Sequence, residues 1–363
     1  MRALCFAQRS MNTSSVQIKE PVSLAVPTED PNHLALPADA AGAAGAADVR
    51  MRVGKLLAVP VTSALALAVH GWVSRNEPSV DPRFYTIFLG GTFAIGLLAG
   101  IGQVTWLGLR RWMNHMCPIL AGALGLLILW EVITSGFRWL PLPYFPSPAG
   151  VLQSMVTDRN LLVESTANSL LLLLSGYLLG VAVALVTGIC IGWYPLARYW
   201  GMPLLKVIGP IPATAWVPLA MVLSPSGRFS AIGLVALAVW FPVSMLTISG
   251  VANTRASYLD VARTLGANQK YLILHVAIPA AMPNIFIGLF MGLGTSFLTL
   301  IVAETVGVKS GLGWYVGWAQ GWAEYGKVYG ALVIMAAFFS TIMTGLFKIR
   351  DRVLVWQKGT IKW

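Results

Sequence analysis

Long apolar segments separated by short polar links make up most of the chain. A run of about 18 or more apolar residues can cross a hydrocarbon core about 30 Å thick. Eight segments are candidate spans, at roughly 56–73, 84–109, 117–134, 166–192, 203–223, 229–250, 284–305 and 328–347. They lack the polar faces expected of buried helices in a large water-soluble protein. The pattern predicts an all-α polytopic membrane protein.

Composition and charge placement agree with this class. The chain is 56% hydrophobic and 11% charged, with a mean hydropathy of +0.71. The net charge of +11 could suggest a nucleic-acid partner. However, most cationic residues lie before the first span, after the second, fourth and last spans, and in the link 253–283. The positive-inside rule explains this bias if both termini are cytoplasmic. We therefore expect the lipid bilayer, not nucleic acid, as the surroundings.

The N-terminal part differs from the rest. Residues 1–50 include an Ala/Gly-rich run and recurrent prolines, which predict a disordered tail. Met51 is an alternative start. The first two spans form an appended transmembrane hairpin at 51–115, and residues 116–363 form the main transmembrane domain.

The link 253–283 is a charged island between two apolar segments. Ser257 followed by Asp260 matches a capping box at a helix start. Gly266 supplies the backbone freedom that ends a helix. The pattern predicts helix, break, helix, in other words a folded docking surface and not a spacer.

The second half of this link has its own signals. Asn268 can cap a second short helix, and Pro279 and Pro283 are expected to mark re-entry into the bilayer. An apolar docking face is predicted from the side chains expected to be exposed, namely Tyr258, Leu259, Leu265, Tyr271 and Leu272.

Two segments are expected on the other side of the membrane. Ser147 as N-cap and Pro148 at the first helical position predict a short interfacial helix. The segment 306–327 is rich in Gly, Trp and Tyr, which predicts a mobile loop. Tryptophans recur there every four residues, which predicts an aromatic face at the membrane interface or, alternatively, a solute gate.

Polar groups at membrane depth are candidates for the transport pathway. Glu304 ends the seventh span, where an ionisable group is either functional or an interfacial residue satisfied by water. Pro210, Pro212 and Pro218 interrupt the fifth span, and broken helices can line a passage. The predicted pathway residues are Asn168, Trp216, Thr295, Ser296 and Glu304.

Residues typical of metal and nucleotide sites are not grouped. The three cysteines and four histidines lack ligand spacing, so we expect no metal site. The chain has no G-x-x-x-x-G-K-[ST] phosphate loop, so we expect it neither to bind nor to hydrolyse ATP alone.

The link carries a family resemblance. Asp260-Val261-Ala262, Gly266 after three residues and Val276-Ala277-Ile278-Pro279 after nine more resemble the cytoplasmic "EAA" loop of ABC importer permeases. Asp replaces the family's Glu, and Val261 replaces its first Ala. Segments such as Val302-Ala303-Glu304 and Gly311-Leu312-Gly313-Trp314 are similar to the nitrate/sulfonate/taurine/bicarbonate branch. The resemblance covers about 117–363.

The resemblance implies a type I importer permease with a core of six transmembrane helices, here preceded by a two-helix N-terminal extension. It implies a homodimer of permease subunits in the bacterial inner membrane, two ATP-binding subunits and an extracytoplasmic substrate-binding protein. ATP and magnesium would bind the partner ATPase, and this chain would be neither an enzyme nor a cofactor carrier. The cargo would be nitrate, a sulfonate, taurine, bicarbonate or an organic carboxylate. The implied ATPase-coupling residues are Ser257, Tyr258, Leu259, Asp260, Ala262, Arg263, Leu265, Gly266, Ala267, Tyr271, Leu272 and Pro279.

Other classes remain as alternatives. A related type I importer for osmoprotectants or amino acids would share the loop. A secondary transporter or channel predicts internal repeats and several buried charges, and a membrane enzyme predicts clustered His, Asp or Glu at membrane depth. The sequence shows none of these features.

Overall fold

The computed structural model describes residues 57–74, 80–102, 107–140 and 143–356. Its first helices are α1 (Ala58–Val73), α2 (Arg83–Gly102), α3 (Leu107–Glu131), α4 (Pro148–Thr157), α5 (Arg159–Trp193), α6 (Pro195–Ile208) and α7 (Val217–Leu223). They are followed by α8 (Gly227–Ala252), α9 (Ala256–Thr264), α10 (Gln269–Tyr271), α11 (Ile278–Gly307), α12 (Leu312–Gly321) and α13 (Tyr325–Val353). A 3₁₀ turn, Ala213–Trp216, precedes α7, and π-helical turns span Val132–Gly136 and Leu272–Ala277.

The described helices confirm the polytopic all-α class with fewer full spans than the eight predicted. Six are long and apolar enough to cross a membrane: Arg83–Gly102, His115–Gly136, Arg159–Trp193, Gly227–Ala252, Gln269–Gly307 and Tyr325–Val353. A seventh span arises if α6 and the segment Ala213–Leu223, which meet at 84°, count as one. Helix α1 has 16 residues, too short for the predicted full span. The tail 1–50 and Met51 lie outside the described residues.

Helix α8 forms the centre of the packing, between α5 and α11. Along α5, small residues recur every fourth position and face α8: Gly176, Gly180, Ala184, Gly188 and Gly192. A Cβ atom added at Gly180 would lie 2.6 Å from the Ala236 carbonyl oxygen. Close backbone approach of this kind is how helices associate in lipid, where hydrophobic burial supplies little driving force.

The first three helices pack together around a separate core. Helix α1 contacts both α2 and α3, and buried Val59, Leu89 and Cys117 belong to one apolar cluster. His70 Nδ1 on α1 lies 2.6 Å from Glu131 Oε1 on α3, and both side chains are buried. The predicted boundary at residue 115 lies within α3 (Leu107–Glu131), and Cys117 and Leu124, beyond that boundary, still belong to the core formed with α1 and α2.

The segment predicted as a mobile loop, 306–327, instead contains the ten-residue helix α12 and the first residues of α13. Trp314 and Trp318 stack with ring centroids 6.3 Å apart, whereas Trp322 lies just beyond the helix end. Tyr315 of the same helix is fully buried. The other predicted helix is confirmed: Ser147 Oγ accepts a hydrogen bond from the Gly150 amide (3.2 Å) at the start of α4, with Pro148 first in the helix.

Candidate functional site

The link between α8 and α11 contains a helix that begins differently from the prediction. Helix α9 starts at Ala256, with Arg255 at the N-cap and no side-chain capping bond among the described atoms. The predicted capping box is therefore wrong, because Ser257 and Asp260 lie inside the helix. Asp260 instead accepts a hydrogen bond from Arg263 (3.1 Å) on the exposed surface.

Helix α9 ends at Gly266, as predicted, and the end is a Schellman motif. Gly266 has φ +83°, a left-handed conformation that glycine adopts without a steric penalty. The Gly266 amide donates to the Arg263 carbonyl (2.9 Å), and the Ala267 amide donates to the Ala262 carbonyl (3.0 Å). These two bonds satisfy carbonyls that a helix end otherwise leaves unpaired. The motif sets the direction in which the chain leaves α9.

The next helix begins at a cap and then continues into the span. Asn268 Oδ1 accepts from the Tyr271 amide (2.9 Å), which confirms the predicted cap. Pro279 and Pro283, which were predicted to mark re-entry into the bilayer, lie inside Gln269–Gly307, one helical segment of 39 residues. The π turn Leu272–Ala277 ends two residues before Pro279, which has no N–H to donate to the preceding turn. The segment is about 58 Å long, so it extends well beyond a hydrocarbon core.

Two of the five residues predicted for the exposed apolar face of the link are not exposed, and two exposed residues were not predicted. Leu265 is 83% exposed, and Tyr258 and Tyr271 are about half exposed. Leu272 is 1% exposed and cannot form part of a docking face, and Leu259 is half-buried. Two exposed residues were missed, Val261 and Leu274. Helical spacing alone did not reveal which side of the link packs against the spans.

A groove of about 470 Å³ runs beside α9. Leu259, Arg263 and Gln269 line one side, and the turn between α5 and α6, including Trp193 and Arg198, lines the other. We call residues 192–198 and 253–269 together the loop end of the molecule. The α5–α6 turn was not predicted to belong to this surface, because nothing in its local pattern indicates proximity to distant residues such as Leu259.

A second, larger cavity of about 620 Å³ lies at the bend between α6 and Ala213–Leu223. It is lined by residues of the bend, such as Pro212 and Thr214, by the middle of α8 around Phe241, and by the middle of α11 around Thr295. Gly209 allows the bend to approach α8, since a Cβ there would lie 1.9 Å from Phe241 Cε2. Midplane cavities at broken helices are a recurrent position for transported solutes.

The five residues predicted to line a pathway do not converge on one place. Thr295 lines the 620 Å³ cavity. Ser296 is buried and donates to the Leu293 carbonyl (2.7 Å). Trp216 packs against a buried cluster that includes Val217. The remaining two, Asn168 and Glu304, lie towards the opposite end of the molecule, near α12.

Glu304 holds the start of α12. Its side chain is 1% exposed; Oε1 accepts from Ser169 Oγ (2.7 Å) and Oε2 from the Gly313 amide (2.8 Å). The Leu312 amide donates to the same Ser169 hydroxyl (2.8 Å). Gly311 has φ +121°, and a Cβ there would lie 2.5 Å from the Glu304 carboxyl group. The carboxylate thus satisfies the Gly313 amide directly, and the Ser169 hydroxyl satisfies the Leu312 amide, at a helix N-terminus where negative charge is favoured.

The other side of α12 is tied to neighbouring elements by a polar cluster. Tyr315 donates its hydroxyl to Asp158 Oδ2 (2.8 Å). Lys327 forms ion pairs with Asp158 (3.2 Å) and Glu324 (2.7 Å), and its ammonium lies 4.8 Å from the Trp318 ring centroid. Burial, together with the hydrogen bond to the Asp158 carboxylate, raises the pKa of Tyr315 above its usual value. Helix α12 is therefore held at its start and, through Tyr315 and Trp318, along a second side.

Within the described ranges, no group of three or more His, Cys, Asp or Glu side chains could hold a metal ion. Cys117 is buried and Cys190 is half-buried, and both are free thiols.

Comparison with known proteins adds information about the second half of the chain. Residues 176–354 match the family described as binding-protein-dependent transport system inner membrane component. A putative ABC transporter permease protein of Methanocaldococcus jannaschii is 36% identical over 124 residues, which is 34% of this chain and 46% of that protein. The taurine transport system permease protein of Escherichia coli is 28% identical over 188 residues, 48% of this chain and 66% of that protein.

The bicarbonate transport system permease protein of Synechocystis is 29% identical over 185 residues, again 48% of this chain and 66% of that protein. The chain thus spans about half to two thirds of the length of these curated relatives.

Proposed function

Because residues 176–354 belong to the family of inner membrane components of binding-protein-dependent transport systems, we propose that this chain is the permease subunit of an ABC importer. Two copies form the translocation pathway in a bacterial inner membrane, with both termini in the cytoplasm. Two ATP-binding subunits, which carry ATP and magnesium, dock at the loop end. An extracytoplasmic binding protein delivers the cargo. ATP hydrolysis belongs to the partner, not to this chain.

One observation carries the coupling proposal: the two helices that flank the exposed link are the helices that line the cavity. Helix α8 leads into the link and contributes Phe241 to the cavity, and α11 leaves it and contributes Thr295. The link is joined to α11 through one continuous helical segment. A displacement of the link can therefore reach a wall of the cavity through this segment.

The link has the properties of a docking surface. Leu265, Tyr258 and Val261 expose apolar side chains on a segment outside the apolar core of the spans. Exposed apolar groups of this kind on a water-facing segment indicate an interface. The adjacent groove, with Arg198 and Arg263 on its walls, extends this surface and favours a partner that presents acidic or polar groups beside an apolar core.

The relatives support a small anion as the cargo, since two of them are named as taurine and bicarbonate permeases. We propose Thr295 as a pathway residue, because it lines the cavity. We assign Glu304 a positioning role at α12, because its carboxylate is buried against that helix.

The docking proposal is tested with Leu265→Asp, which places a charge on the most exposed apolar residue of the link. Val355→Asp is the matched control, because Val355 is also exposed (58%) and lies beyond the end of the last span. We expect Leu265→Asp to abolish co-purification of the ATPase and ATP-driven uptake, and Val355→Asp to retain both. Normal co-purification in Leu265→Asp would refute docking at the link. Uptake that persists without the ATPase would support a secondary transporter instead.

A further inference from the structure

The first three helices bury two ionisable side chains that are only partly satisfied. His70 on α1 is 4% exposed, and Glu131 at the end of α3 is 2% exposed. Their contact joins His70 Nδ1 to Glu131 Oε1 at 2.6 Å. Among the described atoms, His70 Nε2 and Glu131 Oε2 are buried and have no hydrogen-bond partner. Because buried polar atoms in folded proteins are almost always hydrogen-bonded, this pair calls for a further partner.

A cavity of about 10 Å³ lies beside the pair. His70 and Glu131 line it, and the end of α1 and the start of α4 complete the wall with residues such as Val73, Ser147 and Ala149. A site of about 10–15 Å³ with about two to four polar partners is enough to hold one water molecule. The cavity therefore has room for a single water but not for an organic ligand.

The protonation state of the pair decides which of the two remaining atoms is a donor. If neutral His70 donates from Nδ1 to the Glu131 carboxylate, both Nε2 and Oε2 are acceptors. If His70 is an imidazolium, or if Glu131 is protonated and donates to Nδ1, the Nε2–H group is a donor and Oε2 is an acceptor. A water molecule fits each of these cases, because it can both donate and accept. A metal or alkali cation fits only the first.

Tyr85 on α2 is the protein group that competes with a water for this role. Its ring meets the His70 ring edge-on, with the centroids 4.9 Å apart, and its buried hydroxyl has no hydrogen-bond partner among the described atoms. However, Tyr85 is not part of the described cavity wall. In this structure the hydroxyl therefore satisfies neither His70 Nε2 nor Glu131 Oε2.

We propose that the cavity is a binding site for one internal water molecule, which bridges His70 Nε2 and Glu131 Oε2. The Ser147 hydroxyl is its third partner: the oxygen accepts from the Gly150 amide (3.2 Å), and the hydroxyl hydrogen is left to donate. Bridging waters of this kind bind nearly as well as direct hydrogen bonds. The site lies outside residues 176–354, which match the permease family, and the proposal does not depend on the proposed function.

The water joins the first three helices to the rest of the molecule, because Ser147 and Ala149 belong to the start of α4. Two direct hydrogen bonds cross the same junction. Trp130 Nε1 on α3 donates to the Pro146 carbonyl (3.1 Å), and the Asp81 amide donates to Gln153 Oε1 on α4 (3.0 Å). Helix α4 packs in turn against α13. The water thus adds a third polar tie at the junction.

The test is X-ray radiolytic labelling of the full-length chain in nanodiscs in isotope-labelled water, followed by mass spectrometry. Hydroxyl radicals formed from a bound water oxidise the side chains around it, even where bulk solvent does not reach. Val73 lines the cavity and is 0% exposed. Leu89 is the matched control residue, because it is equally buried among the first three helices and is not part of the described cavity wall.

We expect labelled oxygen at Val73 and none above background at Leu89. Ala149→Val fills the cavity from the start of α4 and should abolish the label at Val73. Gly122→Val adds apolar volume to α3 at a position where a Cβ meets nothing within 4 Å and should preserve the label. Val80→Ile narrows the same cavity from the segment before α2 and serves if Ala149→Val does not assemble.

Three results would overturn the proposal. The first is the absence of label at Val73, or equal label at Val73 and Leu89. The second is a label at Val73 that survives filling of the cavity. The third is loss of the label in Tyr85→Phe, because the water would then be bound at the Tyr85 hydroxyl and not between His70 and Glu131.

Thermal unfolding in sodium chloride and in choline chloride distinguishes a water from a cation. A ligand that binds only the folded state raises the unfolding temperature. We expect equal unfolding temperatures in the two salts. Stabilisation by sodium that disappears in Ala149→Val would identify a cation site and overturn the assignment of a water.

Discussion

Substitution of Gly266 should weaken ATPase docking through the backbone alone. This residue has φ +83°, and a Cβ added there would meet nothing within 4 Å. A side chain therefore causes no clash, and the whole effect comes from holding an L-residue in the left-handed region. That conformation costs about 1–2 kcal/mol for most residues, whereas asparagine tolerates it better.

The magnitude follows if the ATPase binds only the native conformation of the link. A penalty of about 1–2 kcal/mol lowers the ratio of that conformation to the alternatives about 5- to 30-fold. We expect Gly266→Ala to raise the dissociation constant of the ATPase by up to this factor, which is reached when the alternative conformations dominate in the variant and are close in energy in the wild type. Gly266→Val should raise it further, because a β-branched residue is least compatible with positive φ. Gly266→Asn should recover part of the loss.

The assay is titration of the purified ATPase onto the permease in nanodiscs, with thermal unfolding of the permease measured in parallel. The unfolding temperature should stay constant across the series, because α9 has no buried residue and contributes little to the transmembrane core. Wild-type affinity in Gly266→Val would refute the reasoning. So would equal losses in the Asn and Val variants, because the ranking depends on backbone preference.

Two further predictions concern the packing of the spans. Gly180→Val should lower the unfolding temperature, because overpacking costs about 1–3 kcal/mol and the new Cβ would lie 2.6 Å from the Ala236 carbonyl oxygen. Gly125→Val is the control, because a Cβ there meets nothing within 4 Å. Equal unfolding temperatures of the two variants would contradict the prediction. Glu304→Ala should lower the free energy of unfolding by about 1–3 kcal/mol, because it leaves buried donors unpaired, and should speed hydrogen exchange at the start of α12. Substitution of the exposed Glu164 by alanine is the control. Unchanged hydrogen exchange in Glu304→Ala would contradict the role of Glu304 in holding the start of α12.

Several features of the site could be predicted because they depend on neighbours in sequence. Gly266 ends α9 and Asn268 caps the next helix, since both are local backbone signals. The family resemblance, whose core motif lies in 260–279, is confirmed for residues 176–354. The glycine stripe on α5 was not predicted, although Gly176, Gly180 and Gly188 follow the four-residue period of a packed helix face.

Other features could not be predicted from spacing along the chain. Ser257 and Asp260 fit a capping box by spacing, yet α9 begins at Ala256. Leu272 has the same residue type as exposed Leu265 and is nevertheless buried. Spacing within one helix indicates which residues share a face, but it does not indicate which face packs against another helix.

The sequence by itself determined that the chain is a multi-pass membrane protein, where most of its long apolar helices lie and which link is a docking candidate, because hydropathy, caps and glycine preferences act within one or two turns. Only the tertiary structure decided what the polar groups inside the spans do. Glu304 was predicted to line the pathway, but its carboxylate accepts hydrogen bonds from Ser169, 135 positions earlier, and from the Gly313 amide of α12. The cavity exists because three distant segments meet at a bend, and such a meeting is set by the packing of whole helices.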